Sequence, residues 1–116
     1  MNNFRELNVW KKAVELATRI YRETNLYPKH ERYGLTSQIR RSSVSISSNI
    51  AEGAGRRSKK EFRQFLDIAT GSCYELETQL IISRNLNYLS GEIFEAMIHS
   101  LTEIQKMIYS LIKSLD

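Results

Sequence analysis

Cysteine occurs once in this sequence, at Cys73, and proline once, at Pro28. A lone thiol excludes an intramolecular disulfide and fits a reducing, cytoplasmic setting. One proline and five glycines in 116 residues leave little to interrupt long helices. Histidine is almost as scarce: His30 and His99, without a second cysteine, give no metal-ligand spacing, so neither a metal nor another cofactor is expected. No run of about 18 apolar residues occurs, which argues against a transmembrane helix and a membrane partner. The opening MNNFRELNVWKK has no continuous apolar core and no small-residue cleavage site, so it does not read as a signal peptide.

Positive charge is plentiful and unevenly spread. Residues 1–61 carry 13 Lys and Arg against 6 Asp and Glu, whereas residues 62–116 carry 4 against 7. Seven of the cations fall between Arg32 and Lys60. Such polarity within one small domain suggests a basic face turned towards a polyanion. Pairing between the two halves of the chain, or between subunits, explains it equally well.

Apolar residues recur at helical spacing in four stretches, predicting helices over about 8–24, 35–54, 59–88 and 91–115. In the first, Asn8 is the expected N-cap, and Val9, Trp10, Ala13, Val14, Leu16, Ala17, Ile20 and Tyr21 form the inner stripe, with Trp10 as an anchor. Lys11 and Lys12 fall on its polar side. Residues 25–34 form the one extended connection, where Tyr27, His30 and Tyr33 are expected to pack the loop. The second helix carries Leu35, Ile39, Ile46 and Ile50 beside a serine-dense face, Ser42, Ser43, Ser45, Ser47 and Ser48. Small polar residues of this kind either let another backbone approach closely or offer hydroxyls to phosphate. Gly53 and Gly55 are expected to end it through a positive φ.

Ser58-Lys59-Lys60-Glu61 is a capping box, S-x-x-E, opening the third helix. One apolar stripe there, Phe62, Phe65, Leu66, Ala69, Cys73, Leu76 and Leu80, reads as core. A second, Tyr74, Ile81 and Tyr88 at intervals of seven, lies on another face. A bundle helix needs one buried stripe, so the second suggests a subunit contact. Close packing is expected at the mid-helix Gly71 and Ser72. Ser90 is expected to cap the fourth helix, whose seam Phe94, Met97, Leu101, Ile104, Ile108, Leu111 and Leu115 alternates steps of three and four. Ile98 and Ile112 broaden that seam and join the candidate oligomer interface. The predicted fold is an all-α, antiparallel up-down four-helix bundle, one domain over 1–116, with homo-oligomerisation as the outlet for surplus apolar surface.

Several segments resemble a known family: Gln38-Ile39-Arg40-Arg41, Ser48-Asn49-Ile50-Ala51-Glu52-Gly53, Gly55-Arg56, Lys60-Glu61-Phe62, Gly71-Ser72 and Glu75-Leu76-Glu77-Thr78-Gln79-Leu80. With Leu7, Val9-Trp10, Pro28, Tyr33 and Gly34-Leu35, they are similar to the 23S rRNA intervening-sequence protein family of four-helix bundles. The likeness extends along nearly the whole chain and weakens after about Leu89. It implies a ring-like homopentamer. The family includes the accessory variability protein of diversity-generating retroelements, a basic barrel implicated in binding nucleic acid and the element's reverse transcriptase.

The functional expectation is a non-enzymatic, cytoplasmic nucleic-acid-binding oligomer directed to RNA. The turn cations Arg56, Arg57, Lys59 and Lys60 stand around a helix N-terminus, a natural anion site, with Arg40 and Arg41 as further candidates and Lys11 and Lys12 joining them. The same charges would serve a protein-interaction scaffold meeting an acidic partner such as a reverse transcriptase or ribonucleoprotein component. An enzyme is disfavoured. Glu75 and Glu77, two apart on a helix, point in different directions, and read instead as residues of interhelical hydrogen bonding or ion pairing, with Arg40 or Arg41 as candidate partners. Glu52 is the remaining carboxylate candidate.

Overall fold

The computed structural model describes residues 3–116; Met1 and Asn2 lie outside the described residues. Four helices follow one another: α1 (Asn8–Thr24), α2 (Leu35–Ala54), α3 (Lys59–Asn85) and α4 (Gly91–Ser114). They form a rod with extents of 43 × 24 × 20 Å. Each helix packs against its sequence neighbours, and α4 closes the square on α1, giving the predicted up-down bundle. The end that carries the start of α1 and the α2–α3 turn also receives the C-terminus, where Arg63 on α3 pairs with Asp116 at 2.6 Å.

The core follows the predicted stripes. Ile20, Ile39, Ile46, Ile50, Leu66, Leu76, Leu80, Leu101, Ile104 and Ile108 are fully buried. Trp10 is half-buried and meets the edge of Phe4 at 5.1 Å between ring centres. The seam of α4 is less enclosed than its periodicity suggests: Phe94, Leu111 and Leu115 are only half-buried, since α4 packs against α1 and α3 alone.

Several local expectations are corrected. Asn8 is the first helical residue, not the cap; α1 begins after Leu7 with no side-chain cap. A short 3-10 turn over Phe4–Glu6, capped by Asn3, leads the chain in and makes a further cap unnecessary. At the end of α2 no glycine has a positive φ. Gly53 serves another purpose. A Cβ there would lie 2.7 Å from Cβ of Phe65 and 3.0 Å from Cδ1 of Phe62, so only hydrogen fits where α2 and α3 converge. Helix α3 ends at Asn85, three residues early, because Asn87 takes φ 63° and turns the chain so that the Tyr88 N–H reaches the Ser83 carbonyl at 2.9 Å. Of the mid-helix pair, Ser72 is buried as expected, but nothing lies within 4 Å of where a Gly71 Cβ would stand.

The caps at Ser58 and Ser90 form as read. Ser58 Oγ accepts the Glu61 N–H at 3.1 Å and donates to the Glu61 carboxylate at 3.1 Å, and Ser90 Oγ accepts the Ile93 N–H at 3.2 Å. The serine face of α2 is spent on packing. Ser45 and Ser72 exchange a 2.8 Å hydrogen bond between α2 and α3, while Ser43 and Ser47 return theirs to carbonyls of their own helix.

Gly53→Ala should destabilise the fold by about 1–3 kcal/mol, since the atoms in the way are a side-chain root and a ring rather than a flexible tip. Gly55→Ala, at φ −82° with its nearest neighbours at 3.6 Å, should be neutral or stabilise by up to about 1 kcal/mol. Urea denaturation of both variants checks the contrast.

Candidate nucleic-acid interface

The basic residues gather at the two ends of α2, about 20 Å apart at 1.5 Å per residue. At one end lies the α2–α3 turn. The convergence at Gly53 and the Ser58 cap hold it, and Arg56, Arg57, Lys59 and Lys60 are all exposed. Arg56 is partly committed, since its guanidinium meets Glu52 at 3.3 Å and lies 4.8 Å over the Phe65 ring. Arg57, Lys59 and Lys60 form no ion pair among the described residues. The Glu61 carboxylate belongs to the capping box, so the α3 N-terminus is partly satisfied from within and the lysine and arginine side chains carry most of the positive potential.

At the other end Arg40 and Arg41 separate in role. Arg40 is pinned against α1: its guanidinium donates to Thr24 Oγ1 at 2.9 Å, Asn25 Oδ1 at 3.0 Å and the Tyr21 carbonyl at 3.4 Å, and lies 4.7 Å over the Tyr21 ring. Every one of those partners is neutral, so its charge is held in place without being cancelled. Arg41 is exposed. Neither arginine pairs with Glu75 or Glu77. Glu77 instead accepts from Gln105 of α4 at 3.4 Å, and Glu75 is exposed. The helix pairing explains this: residue 40 lies on the side of α2 that faces α1.

Lys11 is exposed on α1, and Lys12 is engaged with Glu103 of α4 at 2.8 Å. That hydrogen bond raises the Lys12 ammonium pKa and lowers the Glu103 carboxyl below its ordinary value, with His99 Nε2 adding a second contact to Glu103 at 2.9 Å. Pairing between the two halves of the chain therefore accounts for Lys12, while the cations at the two ends of α2, Arg56 apart, meet no carboxylate among the described residues.

The candidate interface residues divide similarly. Tyr74 and Ile81 stand 62% and 42% exposed on the outer side of α3, joined by Ile68 at 52% and Ile82 at 42%. Tyr88 does not belong with them. Once α3 ends early its ring turns inward to pack on Tyr27 at 5.2 Å, and its hydroxyl donates to Glu31 at 3.0 Å. Ile98 and Ile112 are half-buried against the core of their own chain.

Two aromatic residues escaped the sequence reading. Tyr33 does not pack the loop; it is 88% exposed, with the Arg32 guanidinium 5.5 Å over its ring. Tyr21, assigned to the inner stripe of α1, is 44% exposed under Arg40. The adjacent Arg32-Tyr33 was the one available signal, and only the fold brings it beside Tyr21 and Arg40.

A family model for the 23S rRNA-intervening sequence protein matches residues 5–110. The chain belongs to that family. Among solved structures, it is similar to a protein of unknown function from the S23 ribosomal protein family of Bacteroides thetaiotaomicron. The two share 32% identity with a TM-score of 0.83, over 90% of this chain and 95% of the other. No curated protein matches the chain. Membership accounts for the four-helix architecture and leaves the role of the cations to be argued from their placement.

Among the described residues, no helix is long and apolar enough to cross a membrane. Cys73 is fully buried, and burial pushes its thiol up to about 12. It should resist Ellman's reagent in the native protein and react fully in denaturant. Because the unfolded thiol ionises near 9 and the folded one does not, its contribution to stability is complete below pH 9 and is lost as pH rises towards 12. Cys73→Ala should remove that part of the alkaline slope in denaturation experiments.

Proposed function

We propose that this protein is a non-enzymatic, homo-oligomeric adaptor that binds nucleic acid, RNA in particular, in the cytoplasm through cations at the α2–α3 turn. The observation that carries this reading is the exposure of Arg57, Lys59 and Lys60 beside one another without carboxylate partners among the described residues. Three or more such cations neutralise neighbouring phosphates and release condensed counterions, which makes binding steeply salt-dependent and largely independent of sequence. Arg56, Arg40, Arg41 and Lys11 extend the charged surface, and Lys12 contributes least because Glu103 holds it.

The outer side of α3 serves as the subunit contact in this reading. Tyr74 and Ile81 supply apolar area there, and the exposed Gly71 leaves room for a second chain to approach. A ring of five copies is what the family resemblance implies. Repetition of a weak basic site around such a ring would raise affinity through effective concentration rather than new contacts.

Arg57→Glu with Lys59→Glu should weaken RNA retention and flatten its salt slope by about 0.7–0.9 per phosphate contact given up. Unchanged binding across a gel-shift salt series would overturn the assignment of the turn. Protein partners that remain bound after nuclease treatment would mark the same surface as a protein-docking scaffold instead. For assembly, Tyr74→Asp with Ile81→Asp should reduce the mass measured by light scattering towards the 13.5 kDa of one chain. A wild-type protein already monomeric at working concentration would rule out the oligomer.

A further inference from the structure

The far end of α2 carries a second feature that phosphate neutralisation by the turn does not use. A groove of about 630 Å³ runs between the C-terminal part of α1 and the first half of α2. Its walls are aromatic and aliphatic: Tyr33, Tyr21 and Val44, all exposed. Three arginines line it, Arg32, Arg40 and Arg41, and none of them meets a carboxylate among the described residues. Arg40 is fixed in the groove by its three neutral acceptors on α1, so its orientation is set before any ligand arrives. Thr36, 6% exposed, also lines it.

Exposed aromatic rings, each with a guanidinium over one face only, and uncancelled positive charge together specify a ligand chemistry. It must offer a flat π surface and an anion within a few ångströms of one another. An unpaired nucleotide does so: its base stacks and its phosphate takes the arginines. A base within a duplex presents neither face, because both are already stacked. The groove volume lies in the range of about 300–1,000 Å³ found for small-ligand sites, enough for one nucleotide and its neighbouring phosphate.

We infer that the Tyr33–Tyr21 groove holds one unpaired nucleotide of a bound strand and so makes the protein selective for single-stranded over duplex RNA. The inference rests on the nucleic-acid reading above and deepens it. The turn cations attract any polyanion, and the groove about 20 Å away along α2 rewards the strand that can turn out a base.

Fluorescence anisotropy on the full chain, with a short labelled single-stranded RNA and the same strand annealed to its complement, tests it. Wild type should favour the single strand. Tyr33→Ala should weaken single-strand binding about tenfold, in line with the loss of one stacked base, and leave duplex binding and the salt slope unchanged. Tyr33→Phe, which keeps the ring, should bind as wild type. Because Tyr33 is 88% exposed, its loss should not disturb folding, which circular dichroism checks. If Tyr33→Ala binds both probes as wild type does while Arg57→Glu with Lys59→Glu weakens both, the groove assignment is overturned and the nucleic-acid reading stands. If wild type binds neither probe at low salt, the underlying reading fails and the groove with it.

Discussion

The close approach of α2 to α3 governs most of what this molecule presents to its surroundings. Two helices lie this near only when the facing side chains are small, and here they are Gly53, which leaves space for Phe62 and Phe65, and the Ser45–Ser72 pair bonded at 2.8 Å. The contact occupies Ser45, and the buried Ser43 and Ser47 bond carbonyls of their own helix, so those hydroxyls serve packing. It also holds the α2–α3 turn short, which places Arg57, Lys59 and Lys60 side by side at the end of the rod. Asn49 adds to the lock by donating from its side chain to the Ser45 carbonyl at 2.8 Å and the Ser45 hydroxyl at 3.0 Å.

Charge in the bundle is sorted by what each cation can reach. Lys12 finds Glu103 on α4 and ties the two halves of the chain together, while Arg63 finds Asp116 and ties the C-terminus to α3. Arg40 finds only neutral acceptors, which gives it a fixed direction without cancelling its charge. Arg57, Lys59 and Lys60 find no partner among the described residues and keep their full potential towards solvent. Solvent-exposed pairs of the first kind contribute modestly to stability, so their main effect is to decide which cations remain for a ligand.

The third helix has more apolar surface than one bundle can cover. Its inner stripe fills the core completely, while Ile68, Tyr74, Ile81 and Ile82 stay outside. These residues form the subunit contact in the proposal above, and they and the basic ends of α2 lie on different helices, so the proposed assembly and the proposed ligand binding need not compete for the same atoms.

The helical repeat, a local property, was legible in the sequence: it placed α1, α2 and the core of α3 and α4 within a few residues, and the capping serines Ser58 and Ser90 located two helix starts. The family resemblance likewise pointed to the bundle. Decisions that depend on what lies across a helix interface were not legible. Gly53 looked like a helix terminator and proved to be a point of contact, because only the approach of Phe65 shows why a Cβ cannot stand there. Tyr88 looked like part of an outward stripe until Asn87, at φ 63°, ended α3 and turned the ring onto Tyr27. Tyr33, Tyr21, Arg32 and Arg40 lie up to 19 positions apart and share no periodicity, so nothing local joins them. Sequence alone therefore determined the helices and the inventory of positive charge. The tertiary structure decided which charges are cancelled and which aromatic faces stay open, since both depend on neighbours that the chain brings together only on folding.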